Sequence, residues 1–194
     1  MNNANTIVVA DYSPEWPLVF EQLRQIYWTF LGDLITDIQH VGSTSVPGLA
    51  AKPVLDIDLV IDDNTTLPAV ISRLESLGYE HRGDLGIPNR EAFGRTSEKT
   101  PLDGSGKTWL RHNLYCCPRD SLALRNHLAL RDYLRAHPDK AAEYGEIKKQ
   151  LAEEVHGDID LYIEKKSPFI LGVLREMGFG GDDLRSISEQ NKAL

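Results

Sequence analysis

Apolar residues recur along this chain with two periods, and each period marks a different kind of element. Trp16, Phe20, Leu23, Tyr27, Phe30 and Leu31 return at three- and four-residue spacing, the pattern of a helix that covers a sheet with one face. Ser13-Pro14-Glu15 supplies its start, with Ser as N-cap, Pro at the first helical position and an acid in the first turn; Gly32 ends it. An Ile-Val-Val-Ala run ahead of this helix reads as a short strand. Ile38 to Val41 reads as another, and the β-branched run Val54 to Ile61 as a third. Leu67 to Leu77 predicts a second helix, stopped by Gly78. Tyr79 to Arg82 and Glu91 to Thr96 predict two strands, separated by a polar, turn-rich stretch from Gly83 to Arg90. Glu98 to Lys107 is a loop. Trp109 to Cys117 predicts the last strand, whose alternation sets Arg111, Asn113 and Tyr115 on one face and Leu110, His112 and Leu114 on the other.

From Asp120 onward the period is helical throughout. Ser121 to Ala136 carries leucines at helical spacing and closes at His137-Pro138. Asp139 to Val155 predicts a second helix of this group, with Glu143, Glu146, Lys148 and Lys149 exposed. Ile159 to Met177 predicts a third, ended by Gly178. The tail beyond Gly180 is polar and is expected to be flexible. The expected architecture is α/β (α+β): a mixed sheet flanked by helices over residues 1–118, a helical lobe over 119–180 packed on it, and a tail over 181–194.

Charge and composition narrow the partners. A net charge of −8 argues against a long nucleic acid, which needs clustered Lys and Arg, but leaves room for one small anionic ligand in a local pocket. No run approaches the roughly 20 apolar residues of a membrane span, and the opening M-N-N-A-N-T lacks a basic segment followed by an apolar one, so a cytoplasmic protein without a membrane partner is expected. Cys116 and Cys117 are adjacent, a poor disulfide pair with no zinc-ligand spacing, and read as small apolar residues at a strand end.

The candidate chemistry lies between Ile38 and Asp62. A short strand stops at Gly42-Ser43-Thr44, where a glycine lets the backbone come close to a ligand while amides and hydroxyls donate to phosphate oxygens. Lys52 is followed by Pro53, so this is not a P-loop. The next strand carries Asp56 and Asp58 on one face, about 7 Å apart along the strand. Two carboxylates so placed suit Mg²⁺, a hard ion that completes its shell with phosphate oxygens. His40 just before the turn can contact a ligand or order the loop, and Lys52 can neutralise phosphate. A strand, a Gly-Ser turn and then a strand with Asp-x-Asp is the ordered pattern of the nucleotidyltransferase fold. A glycosyltransferase also uses Asp-x-Asp on a metal and nucleotide sugar, but the upstream Gly-Ser-Thr turn speaks against it.

The stretch from His40-Val41-Gly42-Ser43-Thr44 through Lys52-Pro53 to Asp58 closely resembles the signature of the GrpB family, small proteins of the nucleotidyltransferase superfamily whose domain also occurs fused to dephospho-CoA kinase. The resemblance covers nearly the whole chain. Tyr12 to Trp16 matches the family's opening, Arg90 the arginine after a Gly-Ile-Pro turn, and His112-Asn113-Leu114-Tyr115 a strand. His127, Arg131 to Arg135, Tyr144 with Lys148, and Tyr162 with Lys166 match the helical part. Asn89 stands where a glycine is expected, and Asn tolerates such a turn.

This resemblance implies a nucleoside triphosphate or another small anion on Gly42, Ser43 and Thr44, with Mg²⁺ on Asp56 and Asp58. Cationic contacts would come from Arg90 and Lys52, and Tyr144, Lys148 and Lys166 would form a basic rim. Active nucleotidyltransferases usually carry a third carboxylate on a neighbouring strand, where this chain offers Arg111, Asn113 and Tyr115. Asn113 is therefore the expected neutral stand-in. The implied function is nucleotidyl transfer to an unknown acceptor, with a non-catalytic nucleotide- or anion-binding module as the alternative. Arg131, Asp132 and Arg135 are expected to form an ion-pair network docking the lobe.

Overall fold

A computed structural model describes residues 6–192. The fold is mixed α/β, and the chain divides into two units that do not follow chain order. One comprises residues 14–41 and 54–125; the other comprises 1–13, 42–53 and 126–194. The boundary expected near residue 118 is thus crossed by the Gly42–Pro53 segment, which groups with the helices rather than with the sheet.

The first unit is built on five strands, β1 (Asp37–Val41), β2 (Leu55–Ile61), β3 (Tyr79–His81), β4 (Glu91–Arg95) and β5 (His112–Pro118), in the order β1-β2-β5-β4-β3. The β2–β5 pair is parallel and the other pairs antiparallel. β2 lies between two strands, and six of its seven residues are buried, which explains its nearly unbroken apolar sequence. Helices α1 (Glu15–Leu31) and α2 (Leu67–Ser76) complete the unit. α1 starts at Glu15 with Pro14 at its N-cap, one residue later than the sequence predicts. It buries Trp16, Leu23, Tyr27 and Leu31, whereas Phe30, expected in the core, is 38% exposed. β5 begins at His112, not Trp109. The amide of Trp109 donates instead to the Glu98 carbonyl, and the Arg95 guanidinium holds the carbonyls of Trp109 and Leu110. Cys116 and Cys117 are free thiols at full burial. Loss of solvation pushes the Cys116 thiol up to about 12 and Cys117 higher still, with the Asp58 charge adding to the latter.

The second unit holds most of α3 (Leu122–Ala136), then α4 (Pro138–Glu154), α5 (Ile159–Glu176) and α6 (Gly181–Gln190). Two clusters give it a core. Val46 and Leu49 pack with Tyr133, Leu134, Ala141, Tyr144 and Val173, and Tyr162 packs with Leu151 and Val155 against Ile7 and Val9. The N-terminal run is a single bridge, Ala10 to Ala51, rather than a strand. The polar tail is corrected as well: residues 181–190 form α6, which buries Ile187 at 1% exposure. Its apolar positions, Leu184 and Ile187, are only one turn apart, too thin a stripe to announce a helix. Among the described residues no helix is long and apolar enough to cross a membrane.

Candidate functional site

The expected site residues fall into both units, and each half has its own geometry. In the sheet unit, register alone fixes which residues share a face. Asp56 pairs with Asn113 and Asp58 with Tyr115 across the parallel β2–β5 ladder, so all four side chains stand on one side of the sheet. The Asn113 amide nitrogen donates to Asp56 Oδ1 at 2.8 Å. This fixes the amide's orientation, because its oxygen against a carboxylate would be repelled. Asp58 is fully buried and Asp56 half-buried. Arg90 closes this face from the loop ahead of β4. Its guanidinium lies 4.4 Å from the centre of the Tyr115 ring, and the residue is only 6% exposed. Arg90 ends a polar, turn-rich stretch, yet the structure buries it. The preceding Asn89 adopts φ +59°, the left-handed conformation that asparagine tolerates. Burial, with the Asp56 carboxylate next in weight, raises the Tyr115 hydroxyl well above its ordinary range, so this ring stays neutral.

His40 belongs elsewhere. It pairs with Ile57 and therefore projects to the opposite face of the sheet from Asp56 and Asp58. There it is 6% exposed and stacked on Phe20 of α1, ring centres 4.6 Å apart. It is a packed histidine on the face away from the acids, so a ligand held by Asp56 and Asp58 would not meet it through that face.

In the helical unit, Gly42 takes φ +67° and ψ −174°, a backbone conformation that is essentially reserved for glycine. Ser43 to Ser45 then form one turn of 3-10 helix. Ser45 Oγ donates to the Gly42 carbonyl at 2.6 Å, while Arg135 donates Nε and Nη2 to the Ser45 carbonyl at 3.0 and 2.8 Å. Arg135 thus braces the turn. In the expected network Arg131 and Asp132 pair at 2.7 Å. Thr44 is buried and Ser43 half-buried. Lys148, expected to be exposed on α4, is 3% exposed; its ammonium donates to the Ala50 carbonyl and lies 4.7 Å from the Tyr144 ring. Tyr144 itself is buried and stacked on Phe169. These two residues hold the 42–53 segment rather than forming an open rim. Lys52 and Lys166 share another ring, their ammoniums 5.5 and 5.4 Å from the centre of Tyr162. Burial lifts that phenol to about 12.

A family model described as GrpB protein matches residues 6–176. The chain belongs to the GrpB family. The glutamate-rich protein GrpB of Alkalihalophilus pseudofirmus is 30% identical over 176 residues, 90% of this chain and 98% of that one. The crystal structure of GrpB from Enterococcus faecalis superposes with a TM-score of 0.73 at 31% identity, covering 93% of this chain and 99% of the other. The UPF0157 protein YqkA of Bacillus subtilis is 31% identical over 82% of this chain, which spans only 43% of YqkA. The domain also matches part of a larger kinase, as the resemblance implies. Dephospho-CoA kinase of Mycolicibacterium paratuberculosis is 27% identical over 84% of this chain and 44% of its own length.

The donor set on the sheet limits what a metal would find. Among the described residues no group of three His, Cys, Asp or Glu is placed to hold an ion. Two carboxylates on one face, one of them tied down by an amide, fit a hard cation that brings its other oxygens from phosphate and water. They do not form a protein cage. Sequence reasoning named Tyr115 and Arg135 but missed their roles, the ring under Arg90 and the brace on Ser45, because both depend on partners distant in the chain.

Proposed function

We propose that this GrpB-family protein binds a nucleoside triphosphate together with Mg²⁺. The observation that carries this reading is the Asp56–Asp58 pair on one sheet face with the Asn113 amide on Asp56. Asp56 and Asp58 would hold the cation, whose chemistry is to neutralise phosphate charge. The bond from Asn113 fixes one of the Asp56 oxygens. On the helical unit, the backbone of Gly42, Ser43 and Thr44 would receive phosphate oxygens, with Lys52 and Lys166 supplying positive charge. Tyr144 and Lys148 enter as supports of the segment.

Nucleotidyl transfer is the finer form of this reading, and positioning with charge neutralisation would carry it. A second reading, binding without turnover, is favoured by one observation: the strand next to Asp56 presents a neutral amide where a third acid would stand. Calorimetry with ATP, CTP, GTP and UTP, with and without Mg²⁺, tests the binding. Mg²⁺-dependent binding of at least one nucleotide is expected, weakened by about tenfold or more in Asp56→Ala. No binding, or binding indifferent to that substitution, would sink the proposal. Pyrophosphate release across a broad acceptor screen then separates transfer from binding alone.

A further inference from the structure

Arg90 is an anomaly of the sheet unit. It is 94% buried, yet its guanidinium makes no ion pair and no hydrogen bond with any described residue, and Nε is sealed from solvent without an acceptor. A buried guanidinium ordinarily finds a carboxylate or several carbonyls, because an unmet charged donor costs more than a lost neutral hydrogen bond. Stacking on Tyr115 at 4.4 Å holds the plane of the group but uses none of its N–H donors, which lie at its edge. In the loop delivering it, Leu85 and Asn89 both take positive φ, at 49° and 59°, and Leu85 is left 49% exposed. A fork of donors held flat and unmet is what a two-oxygen anion requires.

Its place in the sheet indicates whose anion that is. Tyr115 lies on β5, on the side of β2 away from β1. The chain enters the Gly42 turn directly from the end of β1, so Arg90 sits on the other side of the acids from the strand leading to the phosphate turn. In displacement at a metal-bound phosphate, incoming and outgoing groups occupy opposite sides. We propose that Arg90, braced on Tyr115, is the seat for an oxyanion, either a phosphate monoester or a carboxylate, carried by a second small ligand rather than by the nucleotide. This deepens the nucleotide-binding reading and rests on it for the identity of the first ligand.

Nuclear magnetic resonance of ¹⁵N-labelled arginine side chains tests the seat directly. The Nε–Hε signal of Arg90 is identified by its loss in Arg90→Lys, or through its own backbone amide if that variant fails to fold. Inorganic phosphate and acetate are titrated separately, each with and without saturating Mg-ATP. At least one anion should move the signal saturably, and should still do so with Mg-ATP present. Arg90→Lys keeps the charge but loses the fork, so affinity for that anion should fall by about tenfold. Which anion acts tells phosphate monoester from carboxylate. The proposal is overturned if neither moves the signal, or if Mg-ATP alone moves it and then blocks the anion. Should Mg-ATP bind nowhere while phosphate still shifts Arg90, the nucleotide reading fails and the anion seat stands.

Discussion

Adjacent residues of β5 serve opposite faces of one sheet, and the two faces treat polar groups in opposite ways. His112 faces inward toward α1. Its Nδ1 lies 2.9 Å from the Leu110 carbonyl, which can only accept, so Nδ1 carries the proton. Nε2 must then accept from Tyr79, whose hydroxyl is 2.6 Å away, and Tyr27 donates to Tyr79 at 2.6 Å. Every proton has a place, and all three rings are buried. On the other face Asn113 meets Asp56, and Arg90, stacked on Tyr115, leaves its buried Nε without an acceptor. A satisfied buried network specifies a structure; an unsatisfied one leaves capacity for a ligand. On the reading proposed above, stability belongs to one face and recognition to the other.

The strongest way to break that contrast is His112→Ala, which leaves the Tyr79 hydroxyl without its acceptor and opens a cavity. Urea denaturation should show a loss of roughly 3–4 kcal/mol. Acidification reaches the same network without mutation. Burial, opposed by the bond to Leu110 and aided by the Arg95 charge, lowers His112 to about 4 from an ordinary 6.5. A depressed histidine favours folding fully above pH 6.5. That contribution is lost as pH falls below 6.5, because the unfolded chain takes up the proton first, and the loss levels off near pH 4. The native state should lose up to about 3 kcal/mol across this window. A His112→Gln variant should lack that component of the slope; an identical slope in both proteins would assign the proton elsewhere. The smallest effect on stability belongs to Asn113→Ala, a half-buried site, at about 1 kcal/mol or less. Its expected consequence is weaker Mg²⁺-dependent nucleotide binding, read by calorimetry. A large stability loss with unchanged binding would reverse the roles assigned to the two faces.

Much of this was legible in the chain before any coordinates. The alternation in β5 already separated His112 from Asn113, and the period of two in β2 already put Asp56 and Asp58 together. Local pattern suffices there because a strand's own geometry decides the face. It failed where the partner is remote. Nothing around Arg90 announces burial, since the Tyr115 ring that receives it comes 25 residues later. Lys148 lies among charged residues on α4, and its 3% exposure goes with a remote partner, the Ala50 carbonyl. For His40 the reason is different: proximity to Gly42 in sequence does not reveal the register that pairs it with Ile57 and turns it from the acids.

The two cysteines of β5 have a practical corollary. Alkylation needs the thiolate, and these thiols are both inaccessible and held far from ionising at neutral pH. A maleimide in solution therefore waits for the central strand to come loose. The rate at which this chain gains the label becomes a clock for the opening of its sheet, readable by mass without a fluorophore or an added probe.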